Sequence, residues 1–224
     1  MQIQLVRTEP VAQNIQSFLF KPTAAVGYTA GQFIQMTLPH HNPDDRGIKR
    51  WFTLSSSPTQ ELLSITTKFA GDASSSFKKE LFSLQPGDSV EINSPEGDFV
   101  LPSDPGTELL FVAGGMGITP YHSMVQWLAD SGEKRNITLL YGVQTKEELA
   151  FTELFTSYGV NFKPLIGERL TTDMIMKEAA GKLVYVSGPE PMVEALNDSL
   201  IAGGLPDERL KTDYFPGYQN NYSA

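Results

Sequence analysis

The sequence predicts an antiparallel β-barrel followed by an α/β domain built on a parallel sheet. Before residue 104, short segments alternate apolar and polar residues. After it, continuous apolar runs alternate with stretches of helical spacing. Between them lies Pro102-Ser103-Asp104-Pro105-Gly106-Thr107, a turn-rich connector. The expected domains are therefore residues 1–103 and 104–224.

In chain order, the first region offers Ile3 and Leu5, then Phe18 and Phe20, then Phe33, Met36 and Leu38, then Phe52 and Leu54, Leu63 and Ile65, and Val90 and Ile92. Gly31, Pro58, Gly71, Pro86-Gly87 and Pro95 punctuate them, which is the pattern of a small antiparallel barrel or sandwich. One helix interrupts it: Ser74 serves as an N-cap, with Phe77, Leu81 and Leu84 at helical spacing. In the second region the strands are Leu109–Ala113, Ile137–Tyr141 and Leu183–Val186, unbroken apolar runs that suit a sheet covered on both faces. Tyr121–Leu128 and Met192–Leu200 supply covering helices. The polar tail from Gln219 to Ala224 is expected to fray.

The 224 residues contain no cysteine, which excludes a thiolate-held iron–sulfur cluster, a disulfide framework and a cysteine nucleophile within them. A net charge of −9 argues against general nucleic-acid binding. No apolar run approaches the roughly 20 residues of a membrane span. The N-terminus reads as a strand and lacks the order of a signal peptide, so a cytoplasmic enzyme is expected.

Three stretches carry chemistry. The first apolar strand of the second domain runs into Gly114-Gly115-Met116-Gly117-Ile118-Thr119-Pro120 and then a helix. Glycines allow a tight turn and close backbone approach, and free N–H groups at a helix start suit a pyrophosphate. The pattern G-x-G-x-x-P departs from the standard dinucleotide fingerprint, so a ligand-free turn also fits it. The second stretch, Arg50-Trp51-Phe52-Thr53-Leu54-Ser55, places an arginine and an aromatic two residues apart on one strand face. Together they could clamp a phosphate and pack on a flat ring; an exposed Arg and a core Phe are the plainer reading. The third, Ile65 to Phe77, joins a strand, a turn and a serine-rich helix start around Thr67, Lys68, Gly71, Ser74 and Ser75. It fits an anion site or an ordinary N-cap.

In this order, these stretches resemble the ferredoxin–NADP reductase superfamily. That family pairs a flavin-binding Greek-key barrel with a nicotinamide-dinucleotide domain. The likeness lies in Arg50, Phe52 and Thr53 for its R-x-Y-[ST] motif, and in Gly71 with Ser74 for its G-x-x-S helix start. It continues in Gly115, Gly117 and Pro120 for the glycine turn, in Ser187, Gly188, Pro189 and Met192 for its C-G-P-x-x-M motif, and in Asp213 and Phe215 for the terminal acidic-x-aromatic motif. It spans residues 1 to about 218. Three positions depart from the pattern: Phe52 replaces a tyrosine, Ser187 a cysteine and Asp213 a glutamate.

The resemblance implies FAD, with FMN less favoured, held at its pyrophosphate by Arg50, backbone near Thr67 and Lys68, Ser74 and Ser75. It implies Phe52 on one face of the isoalloxazine, Thr53 near its N5 and Phe215 on the other face. Gly115, Gly117, Thr119 and Pro120 would hold the dinucleotide pyrophosphate. Gly188, Pro189 and Met192 would shape the nicotinamide slot beside Ser187 and Asp213. Thr53, Ser187, Asp213 and Phe215 are then the candidate catalytic residues. Gln144 stands where NADPH-using relatives often carry Arg, so NADH is favoured, while Lys146 keeps NADPH open.

The expected activity is hydride transfer from NAD(P)H to FAD and electron delivery to a separate ferredoxin-like, cytochrome or oxygenase partner, the chain being a stand-alone reductase component. A reductase of free flavin or small acceptors is the alternative, and a catalytically weakened flavin- or nucleotide-binding subunit or sensor is the alternative of another class. No metal site is expected: His40-His41 reads as a solvated loop. Lys49-Arg50 and Lys78-Lys79 read as scattered surface charge.

Overall fold

The computed structural model describes residues 1–215. The tail from Gln219 lies outside the described residues. Strands β1 (Gln2–Ala12), β2 (Ile15–Pro22), β3 (Phe33–Thr37), β4 (Lys49–Thr53), β5 (Leu63–Lys68) and β6 (Ser89–Ile92) form one antiparallel sheet, ordered β4-β3-β6-β1-β2-β5. An antiparallel bridge between Leu54 and Ile65 joins the two ends of that order and closes the sheet into a barrel. Alternation points Ile3, Leu5, Phe18, Phe20, Ile34 and Met36 inward. A register shift after Leu5 ends the alternation in β1, and its second half is exposed from Val6 to Pro10.

Helix α1 (Ser76–Ser83) plugs the barrel with Phe77 and Leu81. Its N-cap is Ser75, whose hydroxyl accepts from the Lys78 N–H at 3.2 Å, not Ser74 as expected. Ser74 instead accepts from the Ala70 N–H at 2.8 Å, tightening the turn before the helix. Leu84 lies just past the helix as its C-cap.

The second domain comprises β7 (Leu109–Gly114), α2 (Thr119–Ser131), β8 (Ile137–Val143), α3 (Thr152–Tyr158), β9 (Asn161–Ile166), α4 (Thr172–Glu178), β10 (Leu183–Pro189), α5 (Glu190–Ala202) and β11 (Leu210–Phe215). Its sheet is parallel and ordered β11-β10-β7-β8-β9. Along β7, Leu109, Phe111 and Ala113 pack toward α2 and α3, whereas Leu110 and Val112 pack toward α4 and α5. The chain leaves β7 toward β8 on one side and later returns as β10 on the other. The crevice beyond the carboxyl ends of β7 and β10 is therefore the switch point where such sheets bind ligands.

The edge strands β9 and β11 and the short helices α3 and α4 had no counterpart in the sequence reading. Edge strands are half exposed, so neither an unbroken apolar run nor a clean alternation marks them. No helix among the described residues is long and apolar enough to cross a membrane.

Candidate active site

A cleft of about 640 Å³ lies between the domains, within the range of small-molecule sites of roughly 300–1,000 Å³. The barrel contributes Arg50, Phe52, Thr53, Thr67, Ser74 and Ser75; the second domain contributes Met116, Thr119 and Phe215. The two halves of the candidate set thus converge on one space. Thr53 lines it with a hydroxyl that makes no hydrogen bond to the described residues. Phe52 is 8% exposed, packed in the barrel core against Phe77 at 5.9 Å between ring centroids, and also lines the cleft. Lys68 turns away: its ammonium donates to Glu148 at 2.5 Å, linking the domains.

Arg50 is 9% exposed, so Lys49-Arg50 is not a surface charge pair. Its Nη1 donates to the carbonyls of Arg46, Gly47 and Lys49, and its Nη2 to the Asp44 carboxylate at 2.9 Å. Nε is buried without a partner. An orphaned, charged donor in a protein interior is costly and suits an anion that this chain itself does not provide. The start of α1 is capped beside it, and Lys78 also lines the cleft. Orphaned guanidinium nitrogen, helix start and basic lining together fit the phosphates of a dinucleotide flavin. His40, expected to be solvated, places Nε2 2.9 Å from the Ser76 hydroxyl and Nδ1 2.8 Å from the Leu38 carbonyl.

The glycine turn is fixed by conformation at one position and by packing at another. Residues Gly115–Ile118 form one tight helical turn, with Pro120 in the first turn of α2. Gly115 sits at φ +49° in open space, so its conformation alone calls for glycine. Gly117 is dictated by packing: a Cβ there would lie 2.0 Å from the Ser187 carbonyl oxygen. Closeness between the turn and β10, not space for a ligand, sets that residue. Gly114 and Gly188 likewise make room for the Met192 side chain, which the late motif had placed at the nicotinamide slot beside Pro189.

Ser187 and Asp213 pair in register across β10 and β11, with the hydroxyl 3.5 Å from the carboxylate. Ser187 is fully buried, and neither residue belongs to the lining of the interdomain cleft. Burial pushes the Asp213 carboxyl up to about 6; Ser187 partly offsets this and Asp98 adds to it.

A second cleft, about 330 Å³, opens above the ends of β7 and β8 and holds Gln144, Glu168, Arg169, Thr171 and Met192. Glu168 and Arg169 were not anticipated. They follow edge strand β9, which no sequence pattern marked. Lys146 is exposed and outside this lining.

A flavin-sized cleft shared by a closed barrel and the switch-point face of a parallel sheet defines a two-domain flavin–dinucleotide protein. Residues 2–101 match the oxidoreductase FAD-binding domain family and residues 111–198 the oxidoreductase NAD-binding domain family. Between them the two matches span most of the chain, which belongs to the FAD- and NAD-binding oxidoreductases. It is 26% identical to the stachydrine N-demethylase reductase subunit of Rhizobium meliloti, covering 96% of this chain and 67% of that protein. It is 28% identical to the reductase component of phenol 2-monooxygenase from a Pseudomonas species, over 94% of this chain and 63% of that one. With flavohemoprotein A of Dictyostelium discoideum it shares 27% identity, over 91% and 57% respectively. The chain thus spans between 57% and 67% of the length of these relatives. The fold matches that of the FAD/NAD-binding domain of nitric oxide dioxygenase from Vibrio cholerae, with TM-score 0.79 and 21% identity over 96% of this chain and 98% of that one. It also matches ferredoxin-NADP+ reductase from Plasmodium falciparum, with TM-score 0.79 and 16% identity over 96% and 95%.

Proposed function

We propose that the chain takes hydride from NADH or NADPH onto FAD and passes electrons to a separate redox protein. The observation that carries this is the shared cleft: barrel residues Arg50 and Thr53 face Met116, Thr119 and Phe215 of the dinucleotide domain across one space. A flavin and a nicotinamide must meet face to face, and only an interdomain site allows each domain to hold one of them. The reductase components among the relatives support delivery to another protein, and the exposed Trp51 beside Lys49 at the cleft rim gives such a partner an accessible edge. A cytoplasmic setting goes with this reading, because reduced nicotinamides are cytoplasmic metabolites. We take the domains to divide near residue 104.

On this reading Arg50 donates Nε to the FAD pyrophosphate, with Ser74, Ser75 and the start of α1 completing the cradle. Thr53 donates its hydroxyl to the edge of the isoalloxazine, Phe52 backs the ring from the core and Phe215 covers its open face until nicotinamide enters. Backbone at Thr67 and Lys68 assists at the FAD pyrophosphate. The turn from Gly115 to Pro120 receives the dinucleotide pyrophosphate, and Gly188-Pro189 bounds the nicotinamide. Bound flavin accepts hydride and releases electrons singly or in pairs, so no protein nucleophile is required. Asp213, whose carboxyl burial raises to about 6, and Ser187 beside it lie behind the site, where the pair can take up or release a proton just below neutral pH. Gln144 and Glu168 suit ribose hydroxyls, which favours NADH, while Arg169 in the same cleft leaves NADPH as a substrate.

The test is spectroscopic. Purified protein reconstituted with FAD should be yellow and should bleach anaerobically on addition of NADH. Protein that does not bind FAD, or bound FAD that neither NADH nor NADPH reduces, overturns the reading. Comparing turnover with ferredoxin, cytochrome and free FMN then separates protein acceptors from free flavin.

A further inference from the structure

We propose that His122 is a positioning residue: it pins the flavin-contacting strand to the dinucleotide-binding helix and so sets the spacing between the two reacting groups. This rests on the reading of the shared cleft given above.

His122 lies one turn along α2 from Thr119, which lines the cleft. Ser55 lies two residues beyond Thr53, which lines it from the other side. The imidazole Nδ1 is 2.7 Å from the Ser55 carbonyl oxygen. A carbonyl only accepts, so Nδ1 carries the proton and Nε2 is bare. Burial pushes the His122 pKa down to about 4, which keeps the ring neutral and this tautomer in place at neutral pH. The ring also stacks on Phe151, with centroids 3.8 Å apart and planes 29° from parallel. Phe151 itself holds φ +62°, a conformation a bulky residue adopts only when its surroundings enforce it.

The adjacent residue repeats the contact, since the Ser123 hydroxyl donates to the Ser56 carbonyl at 2.5 Å. On the barrel side this segment is equally fixed. The Ser55 hydroxyl bonds those of Ser64 and Thr66 at 2.8 Å each, and Thr66 bonds Ser17 at 2.7 Å. Ser55, Ser56 and Ser57 are almost wholly buried. A rigid barrel segment and a rigid helix are therefore joined by two donors, immediately behind the residues that face each other across the cleft. A misplacement of about 1 Å can cost on the order of 100-fold in rate, so this joint bears on hydride transfer without touching either ligand. No sequence motif marks His122, because its partner is a backbone carbonyl 67 residues away.

The test compares His122→Ala, His122→Asn and His122→Gln in the FAD-loaded protein. The asparagine amide N–H falls near the position of Nδ1, whereas the glutamine amide falls near that of Nε2. At saturating NADH, the rate of flavin reduction should fall roughly tenfold or more in the alanine and glutamine variants, with KM for NADH within about twofold. The asparagine variant should recover most of the rate. Amide hydrogen exchange of residues 54–57 in the FAD-free protein should rise in the alanine and glutamine variants and stay near wild type in the asparagine variant. Equal rates in all variants, or an asparagine variant no better than glutamine in both readouts, overturns the proposal. If alanine prevents folding, the asparagine–glutamine pair decides alone. Wild-type flavin that NADH cannot reduce would defeat the functional reading instead, and the exchange measurement would still judge His122.

Discussion

Asp44 and Arg50 are joined by a 2.9 Å ion pair, and the other oxygen of the same carboxylate accepts from the Ser76 N–H at the start of α1, also at 2.9 Å. One carboxylate thus ties the arginine to the helix start that flanks it. With Nη1 spent on three carbonyls and one Nη2 hydrogen on Asp44, Nε has no partner among the described residues and is left for a ligand, with the second Nη2 hydrogen beside it. The same residue therefore shapes the loop and keeps charged donor capacity for a ligand, with Nε wholly unpartnered.

Arg50→Ala should raise the dissociation constant for FAD about tenfold or more, because a charge-assisted hydrogen bond contributes roughly 1.5–3 kcal/mol. Fluorescence quenching of FAD titrated with protein measures it. Asp44→Asn replaces one of the two accepting oxygens with an amide donor, so it releases either the arginine or the Ser76 N–H, and it should weaken FAD binding less than Arg50→Ala because the guanidinium remains. Undiminished affinity in Arg50→Ala would remove the assigned role.

Gly117→Ala and Gly115→Ala should separate packing from conformation. At Gly117 the new methyl meets backbone of β10, so we expect at least about 2 kcal/mol of destabilisation or no soluble product. At Gly115 the space is open and only the positive φ is penalised, roughly 1–2 kcal/mol. Urea denaturation of both variants checks the order, and equal losses would contradict it.

Asp213 should make stability depend on pH. Its folded-state pKa of about 6 exceeds the value near 4 of an unfolded aspartate, so the folded state binds the proton more tightly. Stability from this group is present below about pH 4 and declines as pH rises through 6, by up to about 3 kcal/mol. Asp213→Asn should therefore be more stable than wild type at pH 8 and nearly equal at pH 4.5. Denaturation curves showing the same difference at both pH values would refute the raised pKa.

On the proposed reading, Gln144→Arg should shift the ratio of kcat/KM for NADPH over NADH upward by about tenfold, since it adds a charged donor beside Arg169 in the second cleft. Steady-state kinetics with both coenzymes read this directly. An unchanged ratio would place the ribose elsewhere.

Much of the architecture was legible before any tertiary contact was known. Period-two alternation in Ile3/Leu5 and Phe18/Phe20, and unbroken runs such as Leu109–Ala113, are local consequences of how many faces of a strand are buried. They foretold the barrel, the parallel sheet and their order. The motif residues Arg50, Thr53, Thr119 and Phe215 do meet at one cleft, because each sits at a strand end or helix start that the fold brings to the same edge.

The sequence alone therefore determined the domain types and about half of the residues that line the cleft, since both follow from local periodicity and turn chemistry. Only the tertiary structure decided what each residue touches. Gly117 owes its identity to the Ser187 carbonyl on β10, Arg50 gives most of its donors to its own loop, and His122 finds a carbonyl in the other domain. Such contacts join residues far apart in the chain, and hydrogen bonds to backbone carbonyls leave no trace in the identity of the accepting residue.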